Sequence, residues 1–178
     1  LLQKSLNLCK EIIDNGLRKL ISNFHANRWN RHYQFCDLLN TSSCHATETY
    51  QNLVVTLYNP FGQTLYNHTV RLPIVHNRRQ FVQVLDHAKR PIQSTIFPIA
   101  EWVKSIPGRQ GQATHELVFD VKIPPVGFVS VFIVRTDTPS VDFAVEATKI
   151  VINRQTILNQ GNRKIFFDQN GALDRVSL

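Results

Sequence analysis

The feature that most constrains this fold is a change of hydrophobic period near Asn52. Before it, Leu2, Leu6, Cys9, Ile13, Leu17, Leu20 and Phe24 recur at steps of three and four. That spacing sets them on one face of a helix spanning 1–26, an apolar stripe of the bundle or coiled-coil kind. A lone helix cannot bury such a stripe, so it calls for partner helices, and no second helical pattern of this quality occurs in the chain. From Asn52 onward the period is two. Leu53, Val55 and Leu57 point one way, and Tyr66, His68, Val70 and Leu72 alternate on a second strand. Between them Asn59-Pro60-Phe61-Gly62 has the residue order of a type I turn, so the pair reads as a β-hairpin. On the second strand His68 falls on the apolar face, where a hydrogen-bonded core histidine is expected, and Asn67 falls on the opposite, solvated face.

Further strands are expected at Phe81–Leu85, Ile92–Phe97, Glu116–Ile123 and Phe128–Val134, with Pro124-Pro125-Val126-Gly127 turning Glu116–Ile123 into Phe128–Val134. Residues 135–149 read as a linker. Ile150–Ile152, Thr156–Asn159, Arg163–Phe167 and Leu173–Ser177, with Asn170-Gly171 as a hairpin turn, open a new β pattern. The expected fold is mainly β: an antiparallel β-sandwich preceded by one long bundle helix and followed by the first strands of a further β domain. The corresponding divisions are 1–34, 35–149 and 150–178. The chain has no Met, opens inside the helix without a capping residue and stops just after a hairpin-like segment. Both ends read as cuts through structure, which predicts a processed peptide or a partial sequence.

Hydrophobic content of 43% and charged content of 19% are those of a globular protein, and no apolar run is long enough to span a membrane. The net charge of +7 is scattered. Its only tight pairs, Arg78-Arg79 and Lys89-Arg90, sit in polar stretches, so a solvated basic surface is favoured over a nucleic-acid site.

Cys36 and Cys44 bracket the sequon Asn40-Thr41-Ser42, and a second sequon is Asn67-His68-Thr69. A glycosylating compartment is also an oxidising one, so a Cys36–Cys44 disulfide and glycans on Asn40 and Asn67 are the favoured readings. The alternative is a metal site built on His32, Cys36, Cys44 and His45, but the two-to-four-residue ligand pairing of structural zinc is absent. Cys9, on the apolar stripe, is either a buried free thiol or half of a bridge to a residue outside this chain. Glu116 and Asp120 share the polar face of one strand at about 13 Å, wider than a glycosidase pair. A solvated face is the expectation for both. Nucleophile-elbow, phosphate-loop, dinucleotide and zinc-protease motifs are absent. Taken alone, the residues show no active site. A secreted glycan-binding sandwich is the competing class, with Tyr50, Tyr58 and Trp102 as candidate stacking residues.

The ordered set Phe35-Cys36-Asp37-Leu38-Leu39-Asn40-Thr41-Ser42-Ser43-Cys44, Val55-Thr56-Leu57-Tyr58-Asn59-Pro60-Phe61-Gly62 and Val70-Arg71-Leu72-Pro73 resembles the lysosomal-type α-mannosidases of glycoside hydrolase family 38. Glu116-Leu117-Val118-Phe119 with Pro124-Pro125-Val126-Gly127-Phe128, and Thr156-Ile157-Leu158-Asn159 running to Phe167-Asp168-Gln169-Asn170-Gly171, continue the likeness. The resemblance implies a middle segment of such an enzyme: the last bundle helix, the first sandwich and the start of the large C-terminal β domain. It implies a retaining, zinc-dependent parent that removes terminal α-mannose from glycoprotein oligosaccharides. The family's zinc ligands, two Asp and two His, and its nucleophile belong to upstream motifs that this chain lacks. No catalytic residue and no metal ligand is therefore expected here, and zinc would bind outside the segment. The resemblance further implies the Cys36–Cys44 disulfide, Cys9 as half of a longer bridge, a glycan on Asn40, and a lysosomal or secreted location. The expected partners are the remaining domains or peptides of the parent and, through it, the N-linked glycan substrate.

Overall fold

The computed structural model describes residues 2–24, 32–77, 79–138, 143–146, 156–160, 163–168, 170 and 172–177. They fall into two compact units, Leu1–Glu146 and Ala147–Leu178. The first contains α1 (Leu2–Phe24), a 3-10 turn at Leu39–Thr41, α2 (His45–Thr49), β1 (Leu53–Asn59), β2 (Leu65–Ile74), β3 (Phe81–Leu85), β4 (Pro91–Ile92), β5 (Ser94–Pro98), α3 (Glu101–Lys104), β6 (His115–Ile123), β7 (Gly127–Thr136) and β8 (Val145–Glu146). The second contains β9 (Thr156–Gln160), β10 (Arg163–Phe167) and β11 (Leu173–Ser177), paired antiparallel in the order β11-β10-β9. The expected strand at 150–152 and Gly171 of the expected turn lie outside the described residues, as do residues 25–26 of the expected helix.

The fold is mainly β. One sheet of the first unit runs β1-β7-β3-β4 and the other β2-β6-β5-β8. All their pairings are antiparallel except β5 with β8. Val70, Leu72, Ile74, Ile96, Leu117, Phe119, Val121 and Ile123 from one sheet meet Val82, Val84, Val131 and Ile133 from the other. Each is a period-two position of its strand, which is why alternation alone identifies most of the core.

Three expectations are corrected here. Consecutive strands β1 and β2 do not form a hairpin, because β1 pairs with β7 and β2 with β6, in different sheets. The Asn59-Pro60-Phe61-Gly62 stretch is an arch that carries the chain across the core. So is Pro124–Gly127, which joins β6 of one sheet to β7 of the other. Fully buried Asn59 locks the two arches together: its amide donates to the carbonyls of Gln63 (2.8 Å) and Pro124 (2.9 Å), and its Oδ1 accepts the Phe61 N–H (3.0 Å). Second, the single strand expected at 92–97 is two, because β4 belongs to one sheet and β5 to the other. Third, the expected linker contains β8, which pairs in parallel with β5 through Thr95↔Val145 and Ile96↔Glu146. A two-residue strand is too short to show alternation in sequence.

The phase of β2 is also corrected. Leu65 pairs with Ile123 and His68 with Val121, so Tyr66 and Asn67 together oppose Lys122 in a bulge. Asn67 takes a left-handed conformation, φ 48°. The extra residue interrupts the alternation, and Tyr66 and His68, both expected inside, are exposed. On α1, Leu2, Leu6, Ile13 and Leu20 of the apolar stripe are exposed, whereas Asp14 is buried.

Candidate functional site

The densest polar constellation lies where the Cys36–Cys44 loop meets the sandwich. Cys36 and Cys44 are bonded, with Cα atoms 4.9 Å apart. Between them the chain makes the 3-10 turn and then places Ser42 in the left-handed region at φ 50°. Ser42 is thereby turned toward β6, where its hydroxyl donates to Glu116 Oε1 at 2.6 Å. The other carboxylate oxygen of Glu116 accepts Nε of Arg71 at 3.1 Å and also its Nη2. Glu116 was expected on a solvated face and is instead buried, because the loop covers it. With one carboxylate oxygen on a hydroxyl and the other on a guanidinium, Glu116 fastens the loop to β6.

Arg109 fastens the same loop from the other side. Nε donates to Thr41 O (2.9 Å), Nη2 to Ser42 O (2.8 Å) and Ala113 O (3.2 Å), and Nη1 to Gly111 O (2.6 Å). The loop thus ends in carbonyls that one planar fork collects. Glu48 of α2 accepts the Cys44 N–H at 2.8 Å and the Gln112 N–H, joining the disulfide to the chain that feeds β6. Thr47 donates to Pro73 O, and Arg135 of β7 donates to Thr47 O (2.7 Å) and Val75 O (3.2 Å). Burial lowers the Arg135 pKa below its ordinary value. None of these arginines was singled out from sequence. An arginine that caps carbonyls across some 70 residues of chain leaves no local spacing to read.

Beside this junction, His76 and His115 meet edge to face with ring centroids 5.1 Å apart. Burial pushes both pKa values below the ordinary imidazole value. For His76 the neighbouring His115 adds to the effect, and Glu146 opposes it at both rings. On α1, burial alone would raise the Asp14 pKa. The Tyr33 N–H (2.7 Å), His32 Nδ1 (2.6 Å) and nearby positive charge outweigh it, and the net shift is downward.

The remaining expected site residues are dispersed. Asn40 sits exposed in the 3-10 turn, and Asn67 is exposed at the β2 bulge. Cys9 is exposed on α1 and makes no disulfide within this chain. His32 is engaged by Asp14, and His45 lies near Thr49 Oγ1 (3.4 Å). With both sulfurs in a disulfide, Cys36 and Cys44 offer no thiolate to a metal. Among the described residues no three His, Cys, Asp or Glu are grouped closely enough to hold a metal ion. Asp120 is exposed and accepts the Thr69 hydroxyl at 2.6 Å. Arg90 of the basic pair is held by Asp86 in the turn between β3 and β4. Tyr50, Tyr58 and Trp102 are exposed on different elements: ahead of β1, on β1 and on α3. No helix among the described residues is long and apolar enough to cross a membrane.

No family model matches the chain. Among curated proteins it is 30% identical over 157 residues to an α-mannosidase of Arabidopsis thaliana, a stretch covering 79% of this chain and 15% of that protein. It is 31% identical over 122 residues to the lysosomal α-mannosidase of Homo sapiens and 28% identical over 121 residues to that of Mus musculus, in each case 67% of this chain and 10% of the relative. The chain therefore spans about one tenth to one sixth of the length of the curated relatives it matches. Over most of its own length it is homologous to proteins named α-mannosidases, lysosomal and plant.

Proposed function

We propose that this chain is a non-catalytic middle segment of a lysosomal-type α-mannosidase of glycoside hydrolase family 38. Its task is to join a helical bundle to the C-terminal β domains. The observation that carries this reading is the coverage: similarity runs through most of the chain yet takes up 10–16% of relatives named α-mannosidases. The geometry agrees, since Glu116, Arg71, Arg109 and Glu48 all spend their charge on internal contacts. Leu2, Leu6, Ile13 and Leu20 of the α1 stripe are exposed, as on a bundle helix lacking its neighbours.

The parent enzyme hydrolyses terminal α-D-mannose from glycoprotein oligosaccharides, with retention and with zinc. Both the zinc and the nucleophile lie outside these residues, and no catalytic step is assigned to them. Cys9 bridges to a cysteine elsewhere in the parent, Asn40 and Asn67 carry N-glycans, and the location is lysosomal. The test is the sequence that precedes Leu1 in the source transcript. A His-His-Asp motif, with an Asp-rich catalytic domain further back, is expected; an upstream sequence lacking both would overturn the reading.

A further inference from the structure

The β2 bulge creates an arrangement that a regular strand could not. Tyr66 and Thr69 are three residues apart, and strict alternation would send them to opposite faces. Because Tyr66 and Asn67 share one partner, Lys122, the faces come back into phase. Lys122 Nζ lies 5.0 Å from the Tyr66 ring centroid, and Thr69 Oγ1 donates to Asp120 Oδ1. Lys122 and Asp120 are both on the exposed face of β6. Tyr66, the acceptor Asn67 and the sequon hydroxyl of Thr69 therefore stand together on the outer face of one sheet. Tyr66 is 70% exposed, an unusual amount for a large aromatic on a paired strand.

We propose that Tyr66 is the seat of the Asn67 glycan, and that the first N-acetylglucosamine folds back onto its ring. This rests on the glycosylation of Asn67 proposed above. The left-handed Asn67 starts the sugar from the bulge beside the tyrosine. The apolar C–H face of a pyranose matches the electron-rich face of an aromatic ring. Lys122 and the Thr69–Asp120 pair supply donors and acceptors for the sugar's hydroxyl and acetamido groups. The glycan would then be a fixed part of this sheet's surface, and Tyr66 its packing residue.

The experiment uses the full chain made in glycosylating eukaryotic cells. Release of the Asn67 glycan by peptide N-glycosidase is followed on the native and the denatured protein by mass spectrometry of the peptide containing residue 67. Native release should be slower than denatured release by about tenfold, the factor of about 1.4 kcal/mol that an aromatic contact can supply. Tyr66→Ala should abolish most of that difference, and Tyr66→Phe, which keeps the ring, should retain it. Equal protection in Tyr66→Ala and the wild type would overturn the packing and leave the modification standing. An unoccupied Asn67 would overturn both.

Discussion

Arg109→Ala removes the fork that collects four carbonyls, those of Thr41, Ser42, Gly111 and Ala113. A hydrogen bond from a charged donor contributes about 1.5–3 kcal/mol, and bonds sharing one group do not add. Arg109 is half-buried, and water can reach the carbonyls once the loop lifts. The docking of the Cys36–Cys44 loop should therefore weaken by about 3 kcal/mol, the equivalent of two bonds near the low end of that range. Cys44 is 4% exposed and Cys36 is partly exposed, so attack of a thiol reductant on the Cys44 sulfur requires the loop to lift, and it is this route that the substitution opens. Reduction should then be faster by about two orders of magnitude. The assay is the rate of alkylation of Cys36 and Cys44 after addition of dithiothreitol, followed by mass spectrometry. Arg109→Lys keeps the charge but not the planar fork and should accelerate reduction only about tenfold. A rate for Arg109→Ala within about threefold of wild type would refute the claim that this residue docks the loop.

Four other outcomes are expected. A Cβ at Gly111 would fall 2.5 Å from Ser43 Oγ and 2.6 Å from Ser43 Cβ, and Ser43 is pinned between Ser42 and Cys44. Gly111→Ala should cost about 1–3 kcal/mol in urea unfolding, whereas Gly62→Ala, with nothing within 4 Å, should be silent. Asn59→Asp turns a fully buried donor toward carbonyls as a carboxylate and should cost about 2–4 kcal/mol by the same measurement. The lowered pKa values of His76 and His115 mean that the unfolded chain binds more protons below its own imidazole pKa of about 6.5. Stability from this pair is therefore complete above that pH and lost as the pH falls through the folded values. The urea midpoint should drop between pH 7 and pH 5, and His76→Asn with His115→Gln should flatten that drop; an unchanged slope would contradict it. Finally, Leu6→Glu with Ile13→Glu on the uncovered stripe of α1 should reduce self-association of the isolated chain in size-exclusion chromatography.

Much of the sandwich was legible because one-sided burial imposes period two, and Leu117, Phe119, Val121 and Ile123 show it without interruption. Pairing was not legible. The inward residues of β1 and β2 alternate equally well in a hairpin or across an arch, and what decides between them is Asn59 binding Pro124 O, a contact 65 residues away. The β2 bulge was missed because Asn is a tolerable left-handed residue in many settings and gives no signal as strong as glycine. At the junction, the cysteines could be read from their spacing around a sequon. Arg71, Arg109 and Arg135 could not, because their partners are backbone carbonyls or a carboxylate brought close only by the fold. Glu116 was misread for the same reason: its strand position says outward, and only the folded loop covers it.

The central claim is that these residues belong to an α-mannosidase without performing its chemistry. An antibody raised against residues 50–135 should, when used on extracts of the source, remove the activity that releases mannose from p-nitrophenyl α-D-mannopyranoside. The captured material should contain peptides of this chain together with a His-His-Asp-containing sequence, and chelation should silence its activity. Complete removal of the chain with the α-mannosidase activity left in the extract, and no mannosidase peptides in the captured material, would contradict the account.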